Sequence, residues 1–397
     1  MTTAQRPGTP LEVFRVALRL GLTSFGGPVA HLGYFRREYV ERRAWLDAAA
    51  FGDLVALSQL LPGPASSQLG IAIGTRRAGL GGGLAAWLGF TLPSALAMIG
   101  LGVAATRLDL AAAGWVHGLK LAAVAVVAQA VWAMARSLAP DWPRRMLAVA
   151  AAAAALLVVS PFAQVGIIAA GALVGLLLLA GSAAPARVVE PPTVPRSVGI
   201  AALAAFAALL LVLPLVRGLD GSLALVDSFF RSGALVFGGG HVVLPLLHAN
   251  VVDPGWVGDS AFLAGYGAAQ AVPGPLFTFA GYLGAVSSVG PGGAPGGVLA
   301  LLAIFAPSFL LVFGTLPYWD RLRASANVRK ALAGANAAVV GLLAAALYTP
   351  VWTSAVGQPA DVLVAAAGLA LLLTRRVPPI VVVGLAAVAG QVLAVMG

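Results

Sequence analysis

Apolar runs of about 18 to 25 residues follow one another through almost the whole of this sequence, separated by short polar breaks. At about 1.5 Å per residue, a helix of that length spans a hydrocarbon core of about 30 Å. Lipid offers the backbone no hydrogen-bond partner, so a chain that crosses it must be helical or a closed barrel. The alternating segments of roughly ten residues that a barrel needs are not present. The expected fold is an all-α integral membrane protein with about thirteen hydrophobic segments. A hydrophobic content of 60%, a charged content of 10% and a mean hydropathy of +0.95 agree.

The formal charge of +10 does not point to nucleic acid. Most arginines flank apolar segments, where basic residues anchor helices against anionic membrane lipid. With no cysteine in the chain, disulfides and thiolate metal sites are excluded. Residues 1–10 are polar and lack a cleavable signal pattern, so the first apolar helix is expected to stay in the mature protein.

Two kinds of break interrupt the apolar pattern. A helix over residues 11–24 runs into Phe25-Gly26-Gly27-Pro28, which must loosen or end it. An amphipathic stretch over 31–44 follows, and it is expected at the interface. Then an apolar run is cut in two by Pro62-Gly63-Pro64. Its halves, 48–61 and 65–74, form about 21 Å and about 15 Å of helix, so neither crosses alone. Spans over 80–105, 114–135, 146–160 and 164–180, a Pro-rich linker over 181–196 and one further span over 198–216 complete the first part.

The pattern then recurs. Arg19, Gly21, Phe25, Gly26 and Gly27 correspond to Arg231, Gly233, Phe237, Gly238 and Gly239, and Gln59 with Pro62 to Pro64 corresponds to Gln270 with Pro273 to Pro275, all at an offset of about 212 residues. Pro93-Ser94 likewise corresponds to Pro307-Ser308. The expected organisation is one repeat over 1–181, a linker and connecting span over 182–219, and a second repeat over 220–397.

Matched halves can be parallel or inverted. Counting every interrupted segment as one crossing separates equivalent positions by an odd number of crossings. The halves are then inverted, and most loop arginines fall on the cytoplasmic side, as the positive-inside rule requires. If each interrupted segment instead re-enters and leaves on the same side, the halves are parallel and the bias disappears. Inversion is therefore expected, although it leaves Arg36, Arg37, Arg42 and Arg43 outside.

Inverted repeats with broken helices resemble secondary transporters, which bind solute where half-helix ends meet. A helix start exposes unpaired N–H groups and about half a positive charge, so two such starts facing each other suit an anion. Ser66, Ser67 and Thr278 add hydroxyl donors, while Gly63 and Gly274 let the backbone approach a solute closely. A simple kink is the alternative for any single copy. Arg19 and Arg231, inside apolar segments, favour a dianion, because a guanidinium presents a planar fork of donors to oxyanion oxygens. Snorkelling to headgroups is the other role open to them. The candidate binding set is Arg19, Gly26, Gly27, Gln59, Gly63, Ser66, Ser67, Arg231, Gly238, Gly239, Gln270, Gly274 and Thr278. His31, Asp53 and His241 are candidates to carry protons. No Walker loop, metal-ligand cluster or nucleophilic triad is present, so neither enzymatic activity nor a cofactor is expected.

Phe25-Gly26-Gly27-Pro28 with His31, Trp45, Ser58-Gln59 and Pro62-Gly63-Pro64, and the second series Phe237-Gly238-Gly239-Gly240-His241 with Gln270 and Pro273-Gly274-Pro275, resemble the chromate ion transporter family in its two-domain form. The resemblance covers nearly the whole chain. It implies export of chromate across the bacterial inner (cytoplasmic) membrane, driven by the proton gradient and conferring chromate resistance, with sulfate as competitor. The second half departs from the first in Gly240 where Pro28 stands and in Leu276-Phe277 where Ala65-Ser66 stand, so the two half-sites need not be equal. Transport of sulfate or another oxyanion, and a passive anion channel, stay open as alternatives. Monomer and homodimer are likewise both open.

Overall fold

The structure, a computed structural model, describes residues 8–24, 27–107, 114–158, 163–179, 194–236, 243–319, 325–374 and 376–396. Among them, every regular element is helical. Helix α1 (Pro10–Thr23) starts where the Thr9 hydroxyl accepts the Glu12 N–H, and it buries Val13, Val16, Ala17, Leu20 and Gly21. That three-and-four spacing is one helical face, and it lies on α4. At about 21 Å, α1 stops part-way through a membrane. Helix α2 (Gly27–Phe35) and a π-helical turn (Arg36–Arg42) follow.

The chain then returns to the face from which it started. Trp45 lies under both Arg43 and Arg77, 5.7 and 5.2 Å from ring centroid to guanidinium. Arg77 pairs with Glu12 at 3.3 Å, and its carbonyl accepts the Gly8 N–H. Helix α3 (Ala48–Leu60), capped by Asp47, descends from this N-terminal face. Helix α4 (Ala65–Arg107) is broken at Ala78 and Gly79, where φ and ψ leave the helical region. Its first limb, 65–77, climbs back to Arg77. Its second limb, 80–107, is about 42 Å long and crosses completely.

Helices α5 (Gly114–Leu138), α6 (Trp142–Leu157), α7 (Ala163–Leu178) and α8 (Arg196–Val216) follow, with the shorter α6 and α7 packed as a pair between the long α5 and α8 in chain order. Among the described residues, five helical stretches, including Ala65–Thr106, Gly114–Arg136 and Arg196–Val216, are long and apolar enough to cross a membrane. The second series enters from the opposite face: α9 (Gly221–Ala234), α10 (Val243–Leu247) with a π-helical turn (His248–Val252), α11 (Asp259–Ala271), a 3₁₀ turn (Leu276–Thr278) with α12 (Phe279–Val286), and α13 (Gly293–Thr315). There Ser288 N–H donates to Trp256 O at 3.0 Å, and Gly221 packs on the backbone of Gly290. These contacts gather the start of α9, the approach to α11, the end of α12 and the start of α13 at one place. Helices α14 (Ala326–Ala346), α15 (Pro359–Leu373) and α16 (Pro379–Met396) complete the bundle.

Counting each interrupted stretch as a crossing is corrected here. The described chain on either side of each Phe-Gly-Gly run returns to the face it came from, as it does at each Pro-Gly-Pro element, and the halves are nonetheless inverted. Re-entry at Pro-Gly-Pro alone would have made them parallel; re-entry at both breaks restores the odd number of crossings between matched helices. Arg36, Arg37, Arg42 and Arg43 therefore do not lie across the membrane from Arg76 and Arg77; they share the N-terminal face with them. The halves also interlock, since α5 packs on α11, α15 and α16 while α14 packs on α6 and α7.

Single cysteines test this arrangement in a chain that has none of its own. Arg37→Cys and Arg145→Cys should react with an impermeant maleimide from one side of the membrane and Pro254→Cys from the other. Labelling of Arg37→Cys and Pro254→Cys from the same side would refute the inversion.

Candidate functional site

Proline has no N–H and clashes with a preceding helical turn, so Pro62 and Pro64 end α3 and force an irregular residue between them. Gly63 has φ +128° and Gly274 has φ +101°, values that side chains rarely tolerate. The Gly63 N–H donates to Val236 O at 2.6 Å, and the Gly274 N–H donates to Ser24 O at 2.9 Å. Ser24 follows α1 and Val236 follows α9, at matched positions of the two halves. Each Pro-Gly-Pro therefore clasps the other half's first break. Four broken helix ends are thus joined in two pairs across the halves.

The clasp is rich in open donors. In α4 the first helical bond is Gln68 N–H to Pro64 O at 2.9 Å, so the N–H groups of Ala65, Ser66 and Ser67 have no backbone acceptor among the described residues. In the second half Thr278 N–H already bonds Pro275 O, which leaves those of Leu276 and Phe277. The buried hydroxyls of Ser24, Ser67, Thr91 and Ser308, and Nε2 of Gln270, have no hydrogen-bond partner either. Buried polar groups in native proteins are almost always paired. Open N–H and O–H donors at these junctions match the oxygens of an anion.

Three further side chains close over the glycines. Gln68 folds back so that its Nε2 donates to Pro62 O at 2.6 Å. A Cβ built on Gly63 would lie 3.0 Å from Ser308 Oγ, and one on Gly274 would lie 2.8 Å from Ser94 Oγ. These serines occupy matched positions, and each reaches the Pro-Gly-Pro of the opposite half. His31 stands beside the clasp, buried between Phe35 and Phe90, with Nε2 at 3.2 Å from Ser24 O. A carbonyl only accepts, so Nε2 carries the hydrogen and neutral His31 keeps a bare Nδ1, which has no partner.

The other candidates are distributed as follows. Ser66, Ser67 and Thr278 are buried at the helix starts, and Thr278 donates to Pro275 O at 2.9 Å. Gly27 opens α2 with φ +74°. Gly26, Gly238, Gly239 and His241 lie outside the described residues. Gln59 is exposed on α3, unlike the half-buried Gln270. Arg19 is on the exposed side of α1. Arg231 donates to Asp227 at 2.6 Å, and Arg217 reaches the same oxygen of that fully buried carboxylate at 3.3 Å. Asp53 accepts the Trp319 indole N–H at 2.9 Å across the two halves, towards the N-terminal face. Among the described residues, no group of three or more His, Asp or Glu side chains could hold a metal ion.

Ser24, Gln68, Thr91, Ser94 and Ser308 are absent from the sequence-derived set. The duplicated Pro-Ser dipeptides were the available signal for two of them. Gln68 has Phe279 at the equivalent position, so no repeat pointed to it.

Comparison with known proteins places these features in a family. A family model described as "Chromate transporter" matches residues 11–176 and 223–391. The chromate transport protein of Pseudomonas aeruginosa is 31% identical over 370 residues, covering 91% of this chain and 86% of that protein. The probable chromate transport protein of Synechococcus elongatus is 30% identical, over 83% of this chain and 81% of its own length. The chromate transport protein of Cupriavidus metallidurans is 29% identical, over 93% and 90% respectively. No solved structure matches.

Gly63→Ala and Gly274→Ala should each destabilise the protein by about 1–3 kcal/mol, the cost of holding a side chain at such a φ. Thermal unfolding in detergent should show a lower Tm for both, and an unchanged Tm for either would contradict the clasp geometry.

Proposed function

This chain belongs to the chromate transporter family, and on that premise we propose that it is a secondary transporter exporting chromate across the cytoplasmic (inner) membrane and conferring resistance to it. The reciprocal clasp carries this reading. Its donors are backbone N–H groups, hydroxyls and an amide, and the two helix starts together contribute up to about one positive charge. A tetrahedral dianion offers acceptors in every direction and fits such a cradle. Sulfate has the same shape and charge and competes for it.

Direction follows from charge. Arg36, Arg37, Arg42, Arg43, Arg76, Arg77, Arg144 and Arg145 sit together at the N-terminal face, which the positive-inside rule assigns to the cytoplasm. A dianion leaving a cell that is negative inside gains about 4.6 kcal/mol per 100 mV, from about 2.3 kcal/mol per charge. Export is thus electrically downhill. Arg19 and Arg231 attract the anion toward the clasp, with Arg231 held at a distance by Asp227. His31 is the proton carrier favoured by geometry, because its Nε2 holds the ring against the clasped Ser24 O while Nδ1 is left bare. In the proposed cycle, the empty clasp returns inward with a proton on Nδ1 and releases it before chromate binds. Asp53 and His241 rank behind it.

Purified protein in liposomes tests this reading. Labelled chromate should accumulate under an imposed pH gradient with the membrane potential clamped at zero. Sulfate should compete, and His31→Asn should remove the pH-driven component. No movement above protein-free liposomes would end the oxyanion reading. Flux that never exceeds electrochemical equilibrium would make the protein a passive channel.

A further inference from the structure

The second limb of α4 and helix α13 carry matched Pro-Ser pairs, Pro93-Ser94 and Pro307-Ser308, and neither serine stays with its own half's break. Ser308 lies against Gly63 and Ser94 against Gly274. Both are buried, at 0% and 1% exposure. A buried serine in a transmembrane helix commonly bonds back to a carbonyl one turn earlier. Ser94 does so, donating to Thr91 O at 3.1 Å. Ser308 does not; its Oγ has no partner although it is fully buried. On the same helix, Thr315 shows the ordinary behaviour, donating to Leu311 O at 2.6 Å.

We propose that Ser308 and Ser94 are oxyanion-binding residues of the clasp, delivered across the pseudo-twofold relation so that each half completes the other half's anion cradle. Ser308 is the stronger donor of the two. Its hydroxyl is free to turn toward an oxygen that approaches the Gly63 backbone, whereas Ser94 must first give up its bond to Thr91 O. The two half-sites are therefore unequal, with the stronger hydroxyl contribution beside Pro62-Gly63-Pro64. Gly63 and Gly274 are required for this as well as for their φ values, since a Cβ at either position would press on the serine that serves it.

The assignment rests on the oxyanion reading, and its test separates the two. Chromate and sulfate binding to the purified full-length chain is measured for the native protein and for Ser308→Ala, Ser94→Ala, the double variant and Thr315→Ala. Loss of one hydrogen bond to a charged ligand corresponds to about a tenfold rise in Kd or more. Ser308→Ala should show that rise, Ser94→Ala a smaller one, and the double variant the largest. Thr315→Ala, which removes a buried hydroxyl from the same helix away from the clasp, should leave Kd unchanged. If Ser308→Ala does not fold, Ser308→Cys, close in shape and a weak donor, should show the same weakening. Native-like Kd in both Ser308→Ala and the double variant would overturn the assignment while leaving the oxyanion reading standing. Failure of the native protein to bind either anion would instead remove that reading.

Discussion

Two backbone hydrogen bonds, Gly63 N–H to Val236 O and Gly274 N–H to Ser24 O, hold four broken helix ends together where lipid could satisfy none of them. A helix that stops inside a membrane leaves N–H and C=O groups open, and such ends are tolerated only when buried in protein or lining a cavity. Here one break is placed against another from the opposite half. The proline pairs create the open groups, the glycines supply the backbone conformations that let them approach, and inversion brings matched parts face to face. A parallel duplication would have put the two Pro-Gly-Pro elements on the same face, each alone with its unpaired ends.

The same arrangement decides which charges can take part. The clasp bonds are made by neutral groups, while Arg19 lies on the exposed side of α1 and Arg231 is tied to Asp227. Asp227 is fully buried and holds Arg231 and Arg217 on one oxygen, so that group carries one net positive charge within the second half. In the first half the equivalent of Asp227 is Arg15, on an exposed side of α1. The halves are thus alike in backbone and unlike in electrostatics, as expected for a site that binds an anion and must also let it go. A permanent guanidinium inside the clasp would bind a dianion more tightly and release it more slowly.

Much of the architecture was readable from residue order. Segment length predicted helices, and the helix limits differ from those expected by a few residues at most. The duplicated Phe-Gly-Gly and Pro-Gly-Pro runs identified the breaks that meet in the centre. What could not be read was the path at those breaks, because a proline or glycine that ends a helix does not say whether the chain continues across or turns back. That is why Arg36, Arg37, Arg42 and Arg43 were expected on the wrong face. The proposed site was legible only where it was duplicated: Gly63, Gly274, Ser67 and Thr278 stand out by repetition. Ser94 and Ser308 did repeat, yet the motif each one serves lies in the opposite half of the chain, and only tertiary packing across the halves brings them there. Gln68 and Ser24, with no polar counterpart, carried no signal at all.

The central claim is that both halves build one shared anion site. Equilibrium binding of chromate to the purified chain, counted as anions bound per polypeptide at saturation, tests it most directly. One anion per chain is predicted, with a Gly→Val change at either Gly63 or Gly274 alone abolishing all binding. Two anions per chain, or half of the binding surviving a change in one half, would contradict a shared site.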